Sequence, residues 1–386
     1  MTASSLAASP LTGPREQVAT RLVFLVAGVA MAAWAPLVPF AKLRLGIEEG
    51  ALGLLLLCLG FGSILAMPIT GVLASRFGCR AIIVVSSIAV ALILPFLALA
   101  DSVVTLGIAL ALFGASVGTV DVAMNIQAVM VEKDSGRNMM SGFHGLFSLG
   151  GIVGAGGVSL LLGLGVTPIM ATAAISGLLL VLLVVSYSGL LPYGNREAGK
   201  TPLFVLPKGV VIFIGLLCFL VFLGEGAILD WSAVFLIGQH MVDPAHAGFG
   251  YTMFAVAMTA GRLGGDWIVK TLGGLWVIIG GGTLAAAGFL LAVFAPNSTL
   301  AAMGFLLVGL GASNIGPVFF TAAGNQTRMP PSLAIAAITT FGYAGILVGP
   351  ALIGFVAQQW SLSFAFVLVA AGFFLVGVLG PRVARP

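Results

Sequence analysis

Apolar residues in this chain come in runs rather than in alternation. Stretches of 18 or more residues nearly free of charge recur from one end to the other, separated by short segments that collect the Asp, Glu, Lys and Arg. A run of that length predicts a membrane-spanning helix, because about 20 residues rising 1.5 Å each cross a hydrocarbon layer of roughly 30 Å. Twelve spans follow, near 20–40, 51–70, 81–100, 103–131, 139–163, 169–191, 209–238, 247–270, 275–295, 299–324, 333–357 and 361–380. The longest polar connection, 192–208, divides them into an N-terminal bundle over 20–191 and a C-terminal bundle over 209–380, with tails at 1–19 and 381–386. The predicted fold class is all-α and integral to the membrane, with twelve transmembrane helices in two six-helix bundles.

The halves echo each other. Phe147-Ser148-Leu149-Gly150-Gly151-Ile152-Val153 in the fifth span is matched by Phe341-Gly342-Tyr343-Ala344-Gly345-Ile346-Leu347 in the eleventh. Two like-oriented repeats are a known transporter plan, with the site at their interface near mid-membrane.

Composition excludes the alternatives. The chain is 60% hydrophobic and 7% charged, whereas a soluble domain carries about 25% charged residues. Glycine, at 54 of 386 residues, is about twice its usual share. Gly150-x-x-x-Gly154 and Gly345-x-x-x-Gly349 predict close helix packing.

Net charge is +4, and its placement says more than its size. An even number of spans puts both ends on one side. Of the 16 Lys and Arg, all but Lys42 and Arg44 fall in segments on that side. The positive-inside rule makes it the cytoplasmic one. Orientation accounts for the basic residues, so no nucleic-acid partner is implied. Residues 1–17 lack the basic stretch and short apolar core of a cleaved signal and read as a tail before a retained first span. The three cysteines have no paired spacing, and His144, His240 and His246 have no metal-ligand spacing. No metal or organic cofactor is expected. The expected partners are a small solute and the lipid bilayer, with the chain acting as a monomer.

The sequence GVLASRFGCR at 71–80 resembles the signature between the second and third spans of the major facilitator superfamily, through Gly71, Arg76, Gly78 and Arg80. The usual acid is replaced by Ser75. Gly261-Arg262-Leu263-Gly264-Gly265-Asp266 echoes the motif and keeps an acid, Asp266. The resemblance implies a cytoplasmic latch of Gly71, Arg76, Gly78, Arg80, Arg262 and Asp266, in which arginines and an acid pair with helix ends. Asp121 and Asn125 in span 4, the glycine-rich span 5 and Gly224-Glu225-Gly226 in span 7 resemble the fucose-permease-like branch and its YbjJ-type bacterial members. Fucose permeases are sugar–proton symporters with an acid in span 1 as well. Span 1 here has none.

The remaining chemistry lies in the spans. A carboxylate at mid-membrane costs roughly 2.5–3.5 kcal/mol on insertion scales and marks an ion or substrate pathway. Asp121 meets that description, with Asn125 on the same helix face. All Lys and Arg are expected at span boundaries, which leaves Asp121 without a cation. Glu225 lies near the middle of span 7 between two glycines, with Asp230 five residues further out. These three acids are the candidate proton-coupling groups, with sodium the alternative coupling ion. Asn125, Gln127, His144 and Asn314 are candidate hydrogen-bonding groups for a solute. Trp34, Phe147 and Tyr343 are candidate aromatic walls. The reading is a proton-coupled transporter, either taking up a polar sugar-like solute or expelling an amphipathic one. An intramembrane protease would need two facing acids in fixed motifs, which the spans lack.

Overall fold

The computed structural model describes residues 12–47, 49–194, 206–242 and 248–383. Most of the expected N-terminal tail, the middle of the 192–208 linker, His246 and the last three residues lie outside the described residues. Every regular element among the described residues is helical: α1 (Pro14–Ala33), α2 (Val38–Leu45), α3 (Glu49–Leu99), α4 (Val103–Ser135), α5 (Met140–Gly163), α6 (Pro168–Tyr187), α7 (Val210–His240), α8 (Phe249–Leu263), α9 (Gly265–Phe294), α10 (Ser298–Ala312), α11 (Ile315–Asn325), α12 (Pro331–Gln359) and α13 (Leu362–Leu379).

Ten of the segments they form are long and apolar enough to cross a membrane. One of these, α3, crosses twice, because it bends at Gly78 (φ 84, ψ 155), a conformation open only to glycine. The twelfth crossing is α8, which at 15 residues is about 22 Å long and too short alone. The opening turns of α9 complete it, and the chain reverses at Gly273 (φ 79, ψ 153). Gly78 and Gly273 share one backbone geometry, so they mark equivalent bends in the two repeats. Aligning them sets Asp266 opposite Gly71 and Lys270 opposite Ser75. The expected echo of Gly71 to Arg80 by Gly261 to Asp266 is thus displaced by one helical turn.

Two expected segments also change. The tail was expected to run to residue 19, but α1 starts at Pro14. Proline suits the first helical position, and the Glu16 carboxylate accepts from Gly13 N at 2.7 Å. The expected span 299–324 is interrupted at Ser313-Asn314, between α10 and α11 and just before Pro317.

Glycine sets the helix spacing within each half. Cβ atoms built on Gly150 and Gly154 would fall 2.4 and 2.3 Å from backbone oxygens of α1, and one on Gly345 would fall 2.4 Å from Phe219 O of α7. The two GxxxG stretches therefore seat α5 on α1 and α12 on α7. Between the halves, α3 meets α12 and α5 meets α8.

Candidate functional site

Three ionisable side chains lie near the centres of their crossings. Asp121 is close to the middle of α4, Glu225 is the central residue of α7, and Arg262 lies eleven residues, about 16 Å of helix, before the bend at Gly273.

Asp121 is buried, and Asn125 one turn on donates to its backbone oxygen at 2.9 Å and to Oδ1 at 3.4 Å. The hydroxyl of Tyr343 faces this carboxyl from α12, in the other half. That hydroxyl also donates a long bond to Met31 Sδ on α1, at 3.9 Å. The acid thus sits where α1, α4 and α12 meet. Asn125 Oδ1 is buried without a hydrogen-bond partner among the described residues.

Glu225 has a cation, contrary to the expectation that all arginines lie at boundaries. Arg262 Nη2 reaches Glu225 Oε2 at 3.3 Å and Oε1 at 3.4 Å. Arg262 Nε donates to Ser313 O at 3.3 Å, and Nη1 donates to Ser148 Oγ on α5 at 3.0 Å. Arg262 is therefore a core residue joining the halves. It was misplaced because the Gly264-Gly265 pair reads as a loop, whereas the helical path runs on to Gly273. Ser148, absent from the predicted set, follows His144 by one turn and donates to its carbonyl at 3.2 Å. The His144 ring lies 5.1 Å from Phe24 of α1 and 5.3 Å from Phe320 of α11, and its Nε2 has no hydrogen-bond partner among the described residues.

Beneath this layer the halves close on the basic face. Glu132, at the foot of α4, accepts from the backbone N–H groups of Met139 and Met140 at 2.7 and 2.8 Å and from the Thr321 hydroxyl of α11. Asp266 Oδ1 accepts from Gly142 N at 2.9 Å. Two carboxylates, one from each half, thereby hold the N-terminal amides of α5, where the helix dipole favours negative charge. A Cβ on Gly142 would lie 2.4 Å from Asp266 Oδ2. A cavity of about 490 Å³ adjoins this gate, lined by Glu132, Asp266, Thr321, Gln326 and Arg382 among others. At the equivalent seam Gly71 rests on Ser332 and Ala336 of α12, with no acid.

Of the expected latch, then, Asp266 and Gly71 bridge the halves at the gate, and Arg262 bridges them in the core above it. Arg76 is exposed, without a hydrogen bond or ion pair among the described residues. Arg80 stays inside its own half, donating to Leu190 O at 2.8 Å and lying over Tyr187. Gly78 makes the bend. Glu132 was missed, since seven residues of charged turn before α5 look like solvated loop.

Several predicted solute contacts fall elsewhere. Gln127 is committed at both ends, donating to Thr20 Oγ1 and accepting from Leu191 N, each at 3.0 Å. Six residues from Asp121 is about 240° around the helix, which turns it away from the acid. Asn314 braces the α10–α11 break, donating to Gly261 O at 3.0 Å. Trp34 is buried in the apolar core of the N-terminal half, capping α1. Phe147 is half-buried on α5, its carbonyl against Gly28. Asp230 is on the exposed face of α7, beyond Glu225.

Two six-helix halves, polar groups at their shared centre and a gate at one end define a membrane transporter. Residues 22–332 match the Major Facilitator Superfamily. The chain belongs to that superfamily. It is 56% identical to an uncharacterised transporter of this type from Yersinia pestis, over 97% of each chain. It also resembles FucP in its outward conformation, with a TM-score of 0.80 at 16% identity, over 96% of this chain and 99% of that one. XylE, a proton:xylose symporter, has a TM-score of 0.78 at 13% identity, over 96% of this chain and 95% of that one.

Proposed function

We propose that the protein is a proton-coupled transporter that takes up a small polar organic solute by alternating access. It would lie in a bacterial inner membrane with both termini cytoplasmic. The observation that supports this reading most is the siting of two carboxyl groups against the opposite half. Asp121 of α4 faces Tyr343 of α12, and Glu225 is paired with Arg262, which bonds Ser148 of α5. A proton arriving at either acid alters a contact that separation of the halves must also break. That is what coupling requires: ion and solute bias one two-state equilibrium. FucP, a fucose:proton symporter of E. coli, shares the fold.

The aromatic enclosure of His144 by Phe24 and Phe320 favours a second reading, expulsion of an amphipathic solute in exchange for protons. One experiment separates them. Purified protein is placed in vesicles enclosing a pH-sensitive dye and challenged with monosaccharides, carboxylates, nucleosides and lipophilic cations. Acidification of the lumen on adding a polar solute supports symport. Loss of an imposed acid interior only with lipophilic cations overturns it in favour of antiport.

A further inference from the structure

The Arg262 side chain has one charged partner and two neutral ones. Glu225 supplies the carboxylate at 3.3 Å, while Ser148 offers a hydroxyl and Ser313 a carbonyl. The pair is buried but not sealed, with 11% of the Arg262 side chain and 20% of Glu225 open to solvent. If Glu225 takes up a proton, as the proposed coupling requires, the guanidinium keeps neutral acceptors alone. An unbalanced cation at mid-membrane depth is costly.

Among the described residues no other carboxylate stands ready to replace Glu225. Asp121 faces Tyr343 from α4. Asp266 is held at the gate by Gly142. Asp230 lies five residues further along α7, on its exposed face. The ionisable groups around Glu225 are few. The helices packed on α7 bring Arg262 and Tyr251 on α8 and Tyr343 on α12, α7 itself brings Cys218 and Asp230, and His144 of α5 lies toward Arg262. Helices α10, α11 and α13 contribute no ionisable side chain. None of these neighbours other than Glu225 supplies an anion to Arg262.

We infer that the solute itself carries the missing anion: a small polar molecule with a carboxylate, which takes the place of Glu225 on the Arg262 guanidinium. This rests on the proton-coupled reading above and names its substrate class. Proton and anion enter together. The proton resides on Glu225 while the solute carboxylate lies against Arg262. When the solute leaves, Glu225 releases the proton to the same side and returns to Arg262. Planar carboxylate recognition is what a guanidinium does best.

The test uses the full-length protein in lipid nanodiscs and sodium acetate, the smallest carboxylate, with sodium chloride and acetamide as controls at matched concentration. Gluconate and glucose serve as a larger matched pair. Thermal stabilisation is titrated at pH 7.5 and 5.5 in wild type, Glu225→Gln and the Glu225→Gln/Arg262→Gln double variant. The expected result is that Glu225→Gln takes up acetate and gluconate at least tenfold more tightly than wild type at pH 7.5. That gain is absent from the double variant, and acetamide and glucose show none of it. Wild type should acquire the same preference at pH 5.5. If Glu225→Gln and the double variant respond alike, or if neutral and carboxylate probes stabilise equally, the inference fails. Should Glu225→Gln not fold, the wild-type comparison between the two pH values decides alone, and an unchanged acetate midpoint overturns the inference. A neutral solute that drives proton flux in the vesicle assay removes this inference yet leaves the transport reading standing. Absence of proton flux with every solute removes the transport reading first.

Discussion

Arg262 and Glu225, 37 residues apart on neighbouring helices, meet at 3.3 Å near the centre of the membrane span. Each is tolerable there because of the other. Removing one partner of a buried pair typically costs 3–5 kcal/mol, while removing both is far cheaper. Partial solvent access puts this pair at the lower end. Arg262→Gln alone should lower unfolding stability by about 3 kcal/mol, and Glu225→Gln/Arg262→Gln by about 1 kcal/mol. Denaturation in mild detergent would measure the cycle. A double variant as damaged as the sum of the singles would mean the two residues do not pair in the folded protein.

Asp121 is held differently, by the amide of its own helix and a hydroxyl from the opposite half. Neither contact neutralises it, which suits a group that gains and loses a proton. Asp121→Asn keeps the shape and the hydrogen bonds while fixing the group in a neutral form. Solute exchange across vesicles should persist in this variant, and accumulation driven by a pH gradient should vanish. Full gradient-driven accumulation would remove Asp121 from the coupling role.

The crossings were legible because hydrophobic runs set them directly, and the four-residue spacing of Asp121 and Asn125 put both on one face. Arg262 was not legible. Its neighbours Gly264 and Gly265 read as a turn, but both belong to a helical path that ends only where Gly273 adopts a positive φ. The extra turns of helix between Gly264 and Gly273 are what move the arginine from the boundary into the core. Gln127 shows the complementary error. Its polarity suggested a solute contact, although its position six residues from Asp121 already put it about 120° around α4 from the acid.

That error yields a prediction. Gln127 ties Thr20 of α1 to Leu191 after α6, and both bonds are buried. Gln127→Leu removes them at nearly constant volume and leaves Leu191 N without its acceptor, while Thr20 Oγ1 keeps its bond to Glu16 O. Stability should fall by about 1–3 kcal/mol, with solute affinity per folded molecule unchanged. A large change in solute KM in a fully folded Gln127→Leu protein would return this residue to the site.

The gate at the foot of α5 depends on Glu132 more than on any arginine of the signature. Its carboxylate accepts two backbone bonds and bridges to Thr321 in the other half. Charge-assisted bonds of this kind contribute about 1.5–3 kcal/mol. Glu132→Gln should shift the protein toward separation of the halves on this face. Spin labels at exposed Arg137 and Arg328, in a background lacking Cys58, Cys79 and Cys218, would report it as a longer distance. An unchanged distance distribution would show that Glu132 only caps α5.

Close glycine contacts separate stability from conformation. A Cβ on Gly114 of α4 would lie 1.9 Å from Leu59 O of α3, inside one half. A Cβ on Gly71 of α3 would lie 2.8 Å from Ala336 Cβ and Ser332 O of α12, between the halves. Helices within a half have nowhere to go, so Gly114→Ala should cost roughly 1–3 kcal/mol of unfolding stability. The halves themselves can rock apart. Gly71→Val should therefore leave unfolding stability nearly intact and block closure of the basic face. The Arg137–Arg328 label distance should lengthen, and a cysteine placed at Thr321 should react faster with a water-soluble maleimide. The reverse pattern, with Gly71→Val unstable and Gly114→Ala opening the gate, would mean that the α3–α12 seam belongs to the rigid body and that the moving interface lies elsewhere.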